Sequence, residues 1–212
     1  MENKTLMRRS AEIAYNMYYG AKRHFSSYEI VETVPTYFGI ITTGIGVLQL
    51  AYPSNEWATF ISVVIIIVGF AIWHLNSYSH DKDKYQEIGK VLTKNYYEVR
   101  SIYEQAKSAQ PAELLSLEEK LKTLNEELQT KSIYKQVWGS GVFAHYKLFG
   151  ESQVQWFVNE LQLTFWKDKF PASLKALLLF LFTTIFIWML CNSSLIEMIK
   201  ACLSGGLNGF KN

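Results

Sequence analysis

The sequence predicts an all-α fold. The expected architecture is a helical membrane protein with an N-terminal two-span hairpin, a cytoplasmic antiparallel helical domain and a third, C-terminal transmembrane helix. Three observations carry this prediction. Uncharged apolar runs of bilayer-spanning length recur three times. The segments between them are dense in Lys, Glu and Tyr and repeat their apolar residues at helical spacing. Aromatics make up 15% of the chain, a content compatible with interfacial belts.

Residues 1–32 form the first expected element, an amphipathic helix. Its opening has basic residues but no apolar core of signal-peptide length behind them, so no cleaved signal is expected. Arg8, Ala11, Tyr15, Tyr18 and Lys22 fall on one helical stripe, and Lys22-Arg23-His24 is a basic cluster. Arg8, Arg9, Lys22, Arg23 and His24 are therefore candidate contacts for a signal or for lipid. Aromatic and basic groups on one face can stack a base and pair a phosphate, or anchor a helix on anionic lipid. The same face can equally be a packing surface for the rest of the chain.

Residues 33–80 are expected to make a transmembrane hairpin, with spans at about 33–53 and 57–78 joined by a tight turn at "AYPSNEW". No Lys or Arg lies between Arg23 and Lys82. Five precede the first span, and fourteen lie from Lys82 to Lys175. The positive-inside rule then places the N-terminus and the central segment in the cytoplasm, and the tail outside. On the first span Gly39, Thr42, Thr43, Gly46 and Gln49 gather on about one face. On the second, Ser62, Gly69, Trp73, Asn76 and His80 form one stripe. Thr42, Gly46, Gln49, Ser62, Gly69 and Asn76 are thus a candidate packing seam or pore lining. Small residues four apart suit close helix approach, and polar faces also suit a water-filled path. No Asp, Glu, Lys or Arg sits mid-span, which argues against a proton-coupled transporter or a charged filter.

Residues 81–170 are the expected cytoplasmic helical domain. The helix of the second span should run on into it, since no proline intervenes. Leu92, Asn95, Val99, Ile102 and Ala106 recur at alternating three and four, as do Leu114, Leu117, Leu121, Leu124 and Leu128. With the "SAQP" interruption between them, the two stripes predict a helical hairpin of coiled-coil type, and Pro111 suits the first position of its second arm. Asn95 is placed to fix register. "GSG" at 139–141 predicts a kink or short loop, and Val154, Phe157, Val158, Leu161 and Phe165 predict an amphipathic helix. Trp166, Lys167 and Lys169 fit a membrane interface ahead of the third span at 171–194. On that span Thr184 and Cys191 share a face. A tail at 195–212 follows outside, with "LIEMIKACL" as an alternative interfacial helix.

No catalytic, cofactor or metal constellation is apparent. The four histidines lack a second ligand at metal spacing, and the cysteines Cys191 and Cys202 have no partner motif. A net charge of +2 provides no global attraction for nucleic acid, and no direct nucleic-acid binding is expected.

From about Met7 to Leu128 the chain resembles the SLATT proteins, the SMODS and SLOG-associating two-transmembrane effectors of bacterial conflict systems. Arg8, Arg9, Ala14, the run "GAKRHF" and the spacing of the first two spans carry the resemblance, and the third span goes beyond the two-span plan. The resemblance implies an inner-membrane effector of antiphage, abortive-infection type. Such a protein homo-oligomerises to form a pore or perturb the bilayer. Its trigger would be a nucleotide signal or a partner such as a nucleotidyltransferase, nucleotide sensor or reverse transcriptase. Two other readings stay open: a membrane scaffold that recruits a soluble partner, and a small housekeeping channel.

Overall fold

A computed structural model describes residues 2–53, 57–133, 135–164, 167–168 and 171–192. Its regular elements are helical throughout. Helix α1 runs Asn3–Ala51, α2 Ala58–Leu75, α3 Lys82–Ala106, α4 Pro111–Lys131, α5 Ser140–Tyr146, α6 Gln155–Glu160 and α7 Ala172–Asn192. Helices α1 to α6 belong to one compact unit and α7 to a second.

Helix α1 has 49 residues and passes without a break from the expected amphipathic segment into the expected first span. Pro35 lies inside it and gives up the N–H that would reach the carbonyl one turn back. The buried face of its first half is Leu6, Ser10, Ala14, Met17, Ala21, His24, Ser27 and Val31, spaced by three and four. This seam lies beside the Arg8–Tyr15–Lys22 stripe, and half of it is small: Ser10, Ala14, Ala21 and Ser27. Small side chains let another helix come close, and α3 is the main partner of α1. Their contacts descend in step. Asn3 Nδ2 donates to the Ala106 carbonyl at 3.0 Å, Tyr18 stacks on Tyr96, Phe25 covers Gly89 and Lys82 pairs with Glu32 at 2.6 Å.

Helix α3 therefore pairs chiefly with α1, whereas the stripes in the sequence suggest α4 as its first partner. Both leucine-type stripes are nonetheless buried within the chain. Leu92, Val99, Ile102 and Ala106 of α3 and Leu114, Leu117, Leu121 and Leu124 of α4 are all buried. Most of them share one core with Leu6, Ala14 and Met17 of α1 and with Leu148, Val154 and Phe157. Helix α4 starts as its sequence predicts. Pro111 occupies the first turn, and the Gln110 N–H donates to Glu113 Oε2 at 3.0 Å in a capping box.

Between α2 and α3 the chain stays helical but tightens into a 3-10 stretch, Asn76–Asp81. Ser77 Oγ donates to the His74 carbonyl at 2.8 Å and Ser79 Oγ to the Asn76 carbonyl at 2.7 Å. Hydroxyls that reach back three residues favour this tighter winding. The amphipathic helix expected after Ser152 is shorter than its pattern. It ends at Glu160, and Gln162 takes a left-handed φ of 53° just beyond.

The spans differ sharply from the core. Helix α2 has no buried residue, and α1 has none after Val31. Val63, Val64, Ile66, Ile67 and Phe70 all face outward. By length and composition α1 and α2 are each long and apolar enough to cross a membrane. In its own unit, α7 carries the apolar stretch Leu174–Ile187. The expectations for Phe165, Trp166, Lys169, Cys202, the tail and the middle of the hairpin tip lie outside the described residues. Nothing is described of the Cys191 side chain.

Candidate functional site: the junction of helical core and spans

The chemistry-bearing side chains of the N-terminal helix meet the rest of the chain where the core gives way to the spans. His24 is the centre of this junction and is only 3% exposed. The backbone N–H of Ile133 donates to its Nε2 at 3.2 Å, and the Gln136 amide nitrogen lies 3.1 Å from the same atom. Nε2 therefore carries no proton. Nδ1 carries it and faces the Gly20 carbonyl at 2.7 Å. Ser27 Oγ donates to Gln136 Oε1 at 2.8 Å, and Tyr85 Oη donates to the Lys135 carbonyl at 2.6 Å. Burial pushes the His24 pKa below the ordinary histidine value. Its bond to Gly20 opposes the fall, and nearby Arg23 adds to it. The neutral ring is the form that this set of donors requires.

Beside this node the second core cluster joins Ile30 and Val31 of α1, Tyr85 of α3 and Val137. Leu75, Tyr78, Tyr28 and Ile133 pack around it. Two ion pairs flank the junction, Lys82–Glu32 and Lys147–Glu29.

The other residues singled out on the N-terminal helix sit as follows. Arg8 pairs with Glu12 on its own helix at 3.4 Å. Arg9 reaches across to Glu118 of α4. Lys22 lies over the Tyr18 ring at 4.9 Å, and Arg23 is exposed. Arg8 and Lys22 are separated by about 21 Å of helix rise, so the two basic pairs do not converge on one pocket. The tyrosines between them pack inward. Tyr18 stacks on Tyr96 with centroids 4.2 Å apart, and Tyr15 meets Phe157 edge-on at 5.9 Å. Trp156 Nε1 donates to Tyr96 Oη at 3.0 Å. Tyr103 Oη donates to Glu160, and burial together with that carboxylate raises the Tyr103 pKa to about 12. Asn95 is buried and donates to Glu127 Oε2 at 2.9 Å, tying α3 to α4.

The polar positions of the hairpin are joined at its tip. Gln49 Nε2 donates to the Ala58 carbonyl at 3.1 Å and to Ser62 Oγ at 3.3 Å. Thr42 Oγ1 is turned back to the Phe38 carbonyl at 2.9 Å. A Cβ added at Gly39, Gly44, Gly46 or Gly69 would meet nothing within 4 Å, so within their own unit these small faces are not filled by the described residues. Gly69 lines a shallow apolar hollow with Ile66, Phe70 and Trp73. Asn76 is exposed at the start of the 3-10 stretch. The two stripes thus touch through Gln49 and Ser62, and Thr42, Gly46, Gly69 and Asn76 remain apart from that contact.

Sequence reasoning missed the Ile133–Val137 segment as the partner of His24, because more than one hundred residues separate them. It also missed Gly89. A Cβ there would lie 2.8 Å from the Phe25 ring, so the absence of a side chain is what admits Phe25. Small residues at Ser10, Ala14 and Ala21, at helical spacing, were the available signal for close helix approach.

Comparison with curated proteins and with solved structures found no match. Comparison with protein families gave a model described as "SMODS and SLOG-associating 2TM effector domain 6", matching residues 1–178. That span takes in the whole core, both long apolar helices and only the first residues of α7. A core fastened to two lipid-length helices, matched over most of the chain, places this protein in the SLATT family of two-transmembrane effectors associated with SMODS and SLOG defence systems.

Proposed function

We propose that the chain is an inner-membrane effector of a bacterial antiphage system, which homo-oligomerises and opens a pore or perturbs the bilayer when a partner or nucleotide signal reaches its helical core. The core and the N-terminus face the cytoplasm, and α7 crosses outward as a third span. The observation that carries this reading is the unbroken course of α1. Its first half is the spine of the core and its second half is a span, so a displacement in the core has a continuous helix along which to reach the bilayer. The open faces at Gly39, Gly46 and Gly69 supply surfaces on which neighbouring copies can seat. The effector family supplies the setting.

Membrane potential measured in cells that carry the protein with its neighbouring defence genes, during phage challenge, tests the mechanism. Rapid depolarisation ahead of lysis is the expected outcome. Protection at an unchanged potential would overturn it.

A further inference from the structure

Trp138 is 92% exposed, the most exposed of the large apolar side chains among the described residues. It is held outward rather than left loose. Val137 before it and Ser140 after it are buried. The Ser140 N–H donates to the Val137 carbonyl at 3.1 Å, closing a four-residue turn with Trp138 at its second position. Gly139, the third, has φ 84° and ψ −19°, the values a type II turn demands there and which a side chain would strain. The fold thus uses a glycine and two buried neighbours to present one indole to its surroundings.

The place of that indole is set by Val137. Val137 packs in the cluster with Ile30, Val31, Leu75 and Tyr78, residues just before the first span and at the end of the second. The Trp138 Cα is one residue on, about 3.8 Å away, so it lies at the level where the chain enters the bilayer. Lys135, three residues earlier, holds its ammonium 4.6 Å over the Tyr78 ring at the same level. An indole with an apolar body and a polar N–H, beside a lysine and tyrosines, is the combination that settles at a headgroup boundary.

We infer that Trp138 is an interfacial anchor, seating in the headgroup region of the membrane and holding Gln136, bonded to His24, and Val137 close to the lipid surface. This inference rests on the reading of α1 and α2 as spans. The chain neighbour of Trp138, Val137, packs on residues at the foot of both, so lipid is the occupant to which the geometry commits.

The full chain, with Cys191 and Cys202 replaced by Ser, is reconstituted in phosphatidylcholine–phosphatidylglycerol vesicles. It carries a polarity-sensitive dye on Trp138→Cys, on Ile66→Cys or on Leu115→Cys. Nitroxide lipids labelled at the headgroup or mid-chain report depth, and iodide reports water. At position 138 the expected result is blue-shifted emission, with more quenching by the headgroup label than by the mid-chain label. At position 66 the mid-chain label should dominate, and at position 115 iodide should. A water-like signal at 138 with a lipid-like signal at 66 would overturn the anchor and leave the spans standing. Water-like signals at both would overturn the spans and the anchor together. Shielding at 138 that persists in detergent and grows with protein concentration would assign the site to a second copy and also overturn the anchor. In a label-free check, with Trp57, Trp73, Trp156, Trp166 and Trp188 already replaced by Phe, Trp138→Phe should remove the intrinsic fluorescence that headgroup-level quenchers reach. An unchanged quenching profile would count against the proposal.

Discussion

His24 sits where only one protonation state fits. Its Nε2 faces the Ile133 N–H and the Gln136 amide, so a proton there would set donor against donor. Its pKa is depressed below the ordinary 6.5, so the folded chain binds fewer protons than the unfolded chain as the pH drops under that value. The contribution to stability is complete above the unfolded value and is lost as the pH falls through the depressed one. His145 is shifted the same way, chiefly by burial. On acidification from about pH 7.5 to about pH 5, His24→Gln should therefore lose less thermal stability than the wild type, while still losing some. A circular-dichroism melt of the detergent-solubilised protein checks this, and equal losses would remove His24 from the account. Gly89 makes a steric prediction. Gly89→Val drives a side chain into the Phe25 ring and should cost about 1–3 kcal/mol. Phe25→Ala in the same chain should recover part of that loss, as non-additivity in a denaturation cycle.

At the scale of elements, the α1–α3 pair organises the core. Tyr96 is its most connected member, stacked on Tyr18, touched by Phe157 and bonded to Trp156. Tyr96→Ala empties a buried site among three helices and should cost about 3–5 kcal/mol in chemical denaturation. A loss below about 1 kcal/mol would show that α1 and α3 hold together without it. The stripes of α3 and α4 were legible because apolar residues at alternating three and four can only be one face of a helix. Their partner was not legible. Burial is decided by which helix offers a matching groove, and the groove here is the small-residue seam of α1. The start of α4 was readable because Pro111 acts within the first turn. The 3-10 stretch was not, because helices of either winding share the same composition.

At the scale of the whole molecule, the first unit divides, among the described residues, into a core whose apolar stripes are covered and two helices whose apolar surface is exposed. Gly46 tests what the uncovered part is for. A Cβ there meets no described residue of its own unit, so Gly46→Leu should leave monomer stability within about 0.5 kcal/mol of wild type. Cross-linking in membranes should show fewer oligomers for this variant, and an unchanged ladder would exclude this face as the interface. The local sequence by itself determined the two long apolar helices, the helical nature of the segment that follows them and the identity of its buried stripes. Each of these follows from periodicity or from the length of an uncharged run, which act over one to five turns. Only the tertiary structure decided that α1 is one continuous rod, that α3 lies on it, that His24 is locked by a segment more than one hundred residues away and that Trp138 stands out at the foot of the spans. Those outcomes depend on close approach between distant segments, where a missing side chain at Gly89 or a left-handed turn at Gly139 decides which surfaces can meet.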